Sequence, residues 1–205
     1  MQALKLSIVI LTSVLIPAPA LAGILSTIGI TQISTPTQGN LPTADTIQVF
    51  EETTDVAFPD GGIALNAGKI APGTLVDSYN IYFDTESNSD SWKTASGSIS
   101  FSSPIVGLIW SRRNLEASDA LFGAAGVSYG GNWRGLESED RQGLSDFFIS
   151  GGGNTLDLSF NIRGTGYDEL RVLTAAAPEP FTILGAATAL GFGFFFKKRL
   201  SQKQK

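Results

Sequence analysis

The sequence predicts an all-β protein: a single antiparallel β-sandwich of jelly-roll or Greek-key type, flanked by an N-terminal signal-peptide helix and a C-terminal transmembrane helix. Three observations carry that expectation. Segments with a period of two recur through the middle of the chain, as half-buried strands require. Gly- and Asp-rich clusters such as FPDGG and SGGGN punctuate them at the spacing of an antiparallel sandwich. Apolar residues outside those segments concentrate at the two ends, in Leu6–Ile16 and Phe181–Phe196.

Residues 1–22 have the three-part layout of a secretory signal peptide. Lys5 precedes the apolar run LSIVILTSVLI, a helix-breaking PAP follows, and Ala20, Leu21 and Ala22 form the small-x-small triplet, with cleavage expected after Ala22. An eleven-residue core is short for a membrane span of about 20 residues, which favours a removable leader over an anchor. Residues 23–46, rich in Ser, Thr, Pro and Gly, read as an extended lead-in with at most one edge strand.

Residues 47–177 are the expected sandwich. NTLDLSFNIRG is its clearest strand, with Leu156, Leu158, Phe160 and Ile162 on one face and Asp157, Ser159, Asn161 and Arg163 on the other. GSISF turns Ile99 and Phe101 inward, and VDSYNIYFD puts Tyr79, Ile81 and Phe83 on a common face. TIQVF, PIVGLIW, DFFIS and DELRVLT supply further strands, and SGGGN, at Ser150 to Asn154, is a hairpin turn. The one helical stretch is RNLEASDALFG, with Leu115, Leu121 and Phe122 available to a core.

Composition removes several classes of function. Among the 205 residues there is no cysteine and no histidine. Disulfides, thiolate nucleophiles, catalytic triads and imidazole-based metal centres are therefore closed, and only carboxylate chemistry stays open. Between Gly23 and Ala177 stand 18 acidic and 8 basic residues, a net charge of −10. That sign opposes a surface that tracks nucleic-acid phosphates.

The candidate sites are few. Asp84, Glu86, Asn88 and Asp90 alternate oxygen ligands as a calcium loop does. Ser89 stands where that loop needs Gly, and Ala95 where it needs a bidentate Glu, so a solvated hairpin loop is the simpler reading and no metal is expected. Trp92 and Trp133 lie in polar loops and, with Arg134, are candidate glycan contacts, whereas Trp110 ends an apolar run and belongs to a core. Glu51 and Glu52 are adjacent on a strand and point to opposite faces, so they cannot act as a carboxylate pair. Glu137, Glu139 and Asp140 read as an acidic turn or helix cap. The sequence predicts no enzyme and no cofactor.

Residues 178–205 complete the chain. Phe181–Phe196 would form a helix about 24 Å long at about 1.5 Å per residue, just able to span if Lys197, Lys198 and Arg199 snorkel. That basic cluster would stay cytoplasmic, leaving the preceding domain on the far side of the membrane, where the leader also directs it. Pro178, Glu179 and Pro180, then an apolar run, then a basic end, resemble the PEP-CTERM sorting signal of Gram-negative bacteria and cyanobacteria. The resemblance implies recognition by an exosortase-type membrane transpeptidase that would cut near Pro178 to Pro180. The apolar run departs from many members of the family in being rich in Phe and Gly rather than Leu. In that context GTLVDSYNIYFD, SGSISFSSPIVGLIWS, RGLESED and YDELRVLT look like a recurrent exported module of PEP-CTERM proteins.

The expectation is an exported surface or extracellular-matrix protein of structural or adhesive role, whose partners are the secretion machinery, the processing enzyme and, through its C-terminal helix, the inner membrane. A secreted module binding extracellular polysaccharide is the alternative, and a permanently anchored surface protein the next. No nucleic-acid partner is expected.

Overall fold

The computed structural model describes residues 23–36, 39–84, 92–129, 134–136, 146–163 and 167–177. The leader with Ala20 and Ala22, the Pro178–Glu179–Pro180 motif, the run Phe181–Phe196 and the Lys197–Lys198–Arg199 cluster lie outside the described residues. So do Glu86, Asn88, Asp90 and Trp133.

The described strands are β1 (Ile24–Ile28), β2 (Ile30–Gln32), β3 (Gly39–Asn40), β4 (Ala44–Ala57), β5 (Ala67–Gly68), β6 (Leu75–Asp84), β7 (Trp92–Phe101), β8 (Ile105–Ile109), β9 (Val127–Ser128), β10 (Asp146–Ser150), β11 (Thr155–Arg163) and β12 (Tyr167–Ala175). Among the described residues a single α-helix, α1 (Arg112–Phe122), falls between β8 and β9. The all-β expectation holds for the described residues.

Two sheets make the body of the domain. The smaller runs β1-β7-β11-β10 and is antiparallel throughout. The larger runs β2-β4-β6-β12-β8-β5 and is antiparallel except where β2 lies parallel to β4. A two-stranded parallel pair, β3 with β9, forms a third sheet, and Val127 of β9 packs against the cluster of Phe50 and Tyr82 from the larger one. Between its two main sheets the chain crosses from β1 to β2, from β6 to β7, from β7 to β8 and from β11 to β12.

The alternating residues read from the sequence close the space between the sheets. Ile99 and Phe101 of β7 and Leu156, Phe160 and Ile162 of β11 are buried against Val49, Tyr79, Ile81, Leu170 and Val172 of the larger sheet. Tyr79 and Phe101 meet across the gap with ring centroids 4.9 Å apart. Burial of this many large aliphatic and aromatic side chains is the main stabilising term, at roughly 1.5–3 kcal/mol for each one fully buried.

The larger sheet departs from the half-buried expectation. In β6, residues Val76 to Phe83 are buried on both faces, although the sequence marks only Tyr79, Ile81 and Phe83 as inward. The cause is a third layer. Leu115 and Phe122 of α1 pack with Phe58, Ile70, Val76, Ile109 and Leu173 on the face turned away from the smaller sheet. The helix thus lies where its sequence pattern predicts, and Leu121 joins the cluster only partly buried.

The lead-in corrects a second expectation. Residues 23–46 were expected to carry at most one edge strand, yet they supply an edge strand to each sheet, because the chain passes from β1 directly into β2 at Gly29. Gly29 has φ of +68°, and a Cβ there would stand 2.6 Å from the Ser96 carbonyl oxygen. SGGGN behaves as expected: Gly151, Gly152 and Gly153 all hold positive φ and turn β10 back onto β11.

Candidate functional site

The densest chemistry in the described residues lies between the larger sheet and α1. Alternation along the strands sets it up. β4 sends Ile47 and Val49 toward the smaller sheet and Glu52 toward the helix, while β12 sends Leu170 and Val172 one way and Glu169 and Arg171 the other. From α1, Ser118 and Asp119 fall between Leu115 and Phe122, on the stripe that faces the sheet.

Arg171 is fully buried and forks onto Glu52, donating from Nε at 2.6 Å and from Nη2 at 2.7 Å. Its Nη2 also donates to Asp119 at 2.9 Å, and its Nη1 to the Ser118 hydroxyl and the Leu115 carbonyl. Arg134 forks in the same way onto Glu169, with Nε and Nη2 each at 2.8 Å, and its other contacts go to Asp119. Asp119 therefore receives both guanidinium groups. Tyr129 stacks against both cations, 4.8 Å from the Arg134 carbon and 5.5 Å from that of Arg171. Ser78 donates to Glu52 and Asn80 to Glu169, each at 2.7 Å.

Burial opposes the charge on each arginine, but the carboxylates outweigh it, and both guanidinium groups are held above their ordinary range. Burial, then the negative charge of Glu52, pushes the Tyr129 phenol up. Arginines this well paired stay charged, and bidentate forks fix the side chains as well as binding them. Only Asp119, at 28% side-chain exposure, has appreciable contact with solvent, against 0% for Glu52 and Glu169. Chemically the cluster is a clamp: it ties α1 and the Arg134 segment to the central strands, and all three of its carboxylates are engaged by arginines.

Arg134 is thus a correction. Read from the sequence as a surface donor to a glycan, it is buried because it neutralises Glu169 and Asp119 beneath the helix. Trp110, expected in the core, is half-buried at its edge and packs on Phe147 with centroids 5.0 Å apart. Trp92 opens β7 at 43% exposure. Asp84 closes β6, and among the described residues no group of three or more His, Cys, Asp or Glu could hold a metal ion. Glu51 and Glu52 do diverge to opposite faces of β4. Sequence reasoning missed the clamp, although Ser118 and Asp119 on the apolar stripe of an amphipathic helix were its legible trace.

A second acidic feature sits on the sandwich side of the larger sheet. Asp77 is 1% exposed; its Oδ1 accepts from the Asp55 amide at 3.0 Å, and its Oδ2 has no hydrogen-bond partner. Burial raises its pKa from 3.8, and burial together with the charge of Asp77 raises that of Glu51 from 4.5. Both carboxyls hold protons more tightly in the folded chain. The stability they contribute is therefore complete below their ordinary values and is lost as pH rises through the elevated ones. Asp77→Asn, which keeps the acceptor for Asp55, is expected to raise the unfolding midpoint at pH 7 and to flatten the decline of stability above about pH 4. Urea unfolding across pH 3–7 reads both effects, and an unchanged slope would assign the titration to Glu51 alone.

Among the described residues no helix is long and apolar enough to cross a membrane. No protein-family model matches the chain, and searches of curated proteins and of solved structures likewise find no match.

Proposed function

We propose that the chain is an exported, non-enzymatic surface or extracellular-matrix protein of structural or adhesive role, sorted through its C-terminal segment. The observation that carries the reading is the agreement of the two ends. A leader closing on Ala20-Leu21-Ala22 directs the domain outward, and Pro178-Glu179-Pro180, an apolar run and Lys197-Lys198-Arg199 would hold it across the inner membrane in the same orientation. An exosortase-type enzyme would then cut near the Pro-Glu-Pro motif, as other removable tails are cut at a short site before an apolar stretch.

The domain between the ends suits such a role. Its fold is read as a jelly-roll variant, supported by the change of sheet at successive strands and by the adjacency of β6 with β12 and of β7 with β11. The dense charge cluster is occupied in holding helix to sheet, which supports a scaffold over a catalyst. The net charge of −10 between Gly23 and Ala177 supports the absence of a nucleic-acid partner.

Intact mass of the protein recovered from its source cells and their medium tests the reading. A released chain beginning near Gly23 and ending near Pro178 is the expected result. A membrane-bound chain still ending in Lys205 would make it a permanently anchored surface protein, and an uncleaved chain in the cytosol would overturn export altogether.

A further inference from the structure

We propose that the outer face of the four-stranded sheet is a binding platform for an extended, neutral polysaccharide chain. The register builds the face. Because Ile99 and Phe101 of β7 point into the core, Thr94, Ser96, Ser98 and Ser100 point outward. Directly opposite them on β11 stand Asn161, Ser159, Asp157 and Thr155. β1 extends the grid with Ser26 beside Ser100 and Ile28 beside Ser98, and β10 extends it on the other side with Phe148 beside Asp157 and Ser150 beside Thr155.

Outward side chains repeat about every 6.6 Å along each strand and about every 4.8 Å between strands. From Thr94 to Ser100 and from Thr155 to Asn161, Asp157 is the one outward residue with a formal charge. Solvated strand faces and edges are ordinarily studded with long charged side chains, which keep them soluble and apart. Here the middle of the face carries short side chains with Asp157 as its one formal charge, and the other charged residues at outward register positions, Asp146 opposite Ser159 and Arg163 opposite Trp92, stand at its borders. Cross-strand hydrogen bonds hold part of it in place: Ser100 with Thr155 at 3.0 Å and Ser150 donating to Asp157 at 3.0 Å. A hydroxyl has one donor and two acceptor sites, so each paired group keeps capacity for a ligand, and groups already ordered lose less entropy on binding.

Two aromatic side chains join this array. Trp92, outward by the same alternation, is 43% exposed, and Phe148 is 68% exposed. Aromatic planes beside neutral donors and acceptors match the chemistry of a sugar ring, whose C–H face is apolar and whose rim carries hydroxyls. A phosphate polymer would need clustered cations, and a lipid surface or a protein partner a larger apolar centre; among its described residues the face has neither. The row from Trp92 to Ser100 extends about 26 Å at about 3.3 Å per residue, the shape of a chain rather than a monosaccharide. The proposal is independent of how the protein is sorted or anchored.

The test uses full-length protein in detergent micelles, with microcrystalline cellulose, chitin and a soluble β-glucan in affinity gels as the probes. Retention by at least one probe, unchanged between about 0.1 and 0.5 M salt, is the expected result. The double variant Ser98→Lys/Ser159→Lys should weaken it at least tenfold and Phe148→Ala several-fold, while Lys69→Gln, on the exposed chain after β5, should leave it intact. Matched thermal midpoints keep the comparison free of unfolding. No retention on any probe, retention released by salt, or retention indifferent to the lysine pair would each overturn the proposal. So would a dimer that the lysine pair dissociates in the absence of glycan binding, which would assign the face to a second copy of the chain. None of these results alters the mass expected of the exported protein.

Discussion

Arg171→Met is expected to lower stability by about 3–5 kcal/mol, because it leaves the Glu52 carboxyl buried with its principal partner gone. For a domain of this size each kcal/mol moves the thermal midpoint by about 2–4 °C, so the midpoint should fall by about 6–20 °C. The cost comes from an abandoned charge more than from a lost attraction. Two ions brought out of water into a protein interior roughly recover their desolvation through each other, and removing one exposes the whole penalty of the other. The double variant Glu52→Leu/Arg171→Met is therefore expected to be more stable than Arg171→Met alone, with a coupling energy of about 1–3 kcal/mol in a double-mutant cycle. Additive effects would show that the fork between the two residues contributes nothing beyond its parts. Loss of helix signal in circular dichroism ahead of the sheet signal would locate the damage at α1, which Ser118 and Asp119 tie to this pair.

Gly29→Val should be comparably damaging for a different reason. The backbone at Gly29 has φ of +68°, which a β-branched residue adopts only under strain, and the added Cβ would stand 2.6 Å from the Ser96 carbonyl oxygen. Left-handed strain and overpacking each cost about 1–3 kcal/mol, giving about 2–6 kcal/mol together. Gly97 makes the same crossing from the other side, since a Cβ there would lie 2.5 Å from the Ile28 carbonyl oxygen. The two backbones approach closely at this point because the chain leaves the smaller sheet for the larger one there. Urea titration of the variant reads the loss. An unchanged midpoint would mean that β1 and β2 do not contribute to the cooperative unit.

How much of this was legible before folding follows from the range of the interactions. Strand identity is a local property: the alternation of Leu156, Leu158, Phe160 and Ile162, or of Ile99 and Phe101, depends on neighbours two residues away, and each of these residues is buried. The hairpin at Gly151 to Gly153 and the amphipathic helix ending at Phe122 are local in the same sense. Arg134 was misplaced because an arginine beside a tryptophan in a polar loop has the same local signature whether it faces water or a carboxylate. The partners that decide the matter, Asp119 and Glu169, lie 15 and 35 residues away in sequence. The lead-in was underestimated likewise, since ITQ becomes a strand only when β4 is present to pair with it.

The sequence by itself determined the all-β class, most strand faces, the helix and its apolar stripe, because period and turn chemistry act over a few residues. It also determined the absence of thiol and imidazole chemistry, since composition does not depend on folding. Tertiary structure alone decided that the larger sheet is covered on both faces, and that two arginines and three carboxylates meet beneath α1. It decided also that the serines and threonines of β7 and β11 share one flat surface. Each of these is a juxtaposition of distant segments, and burial and charge pairing act on distance in space.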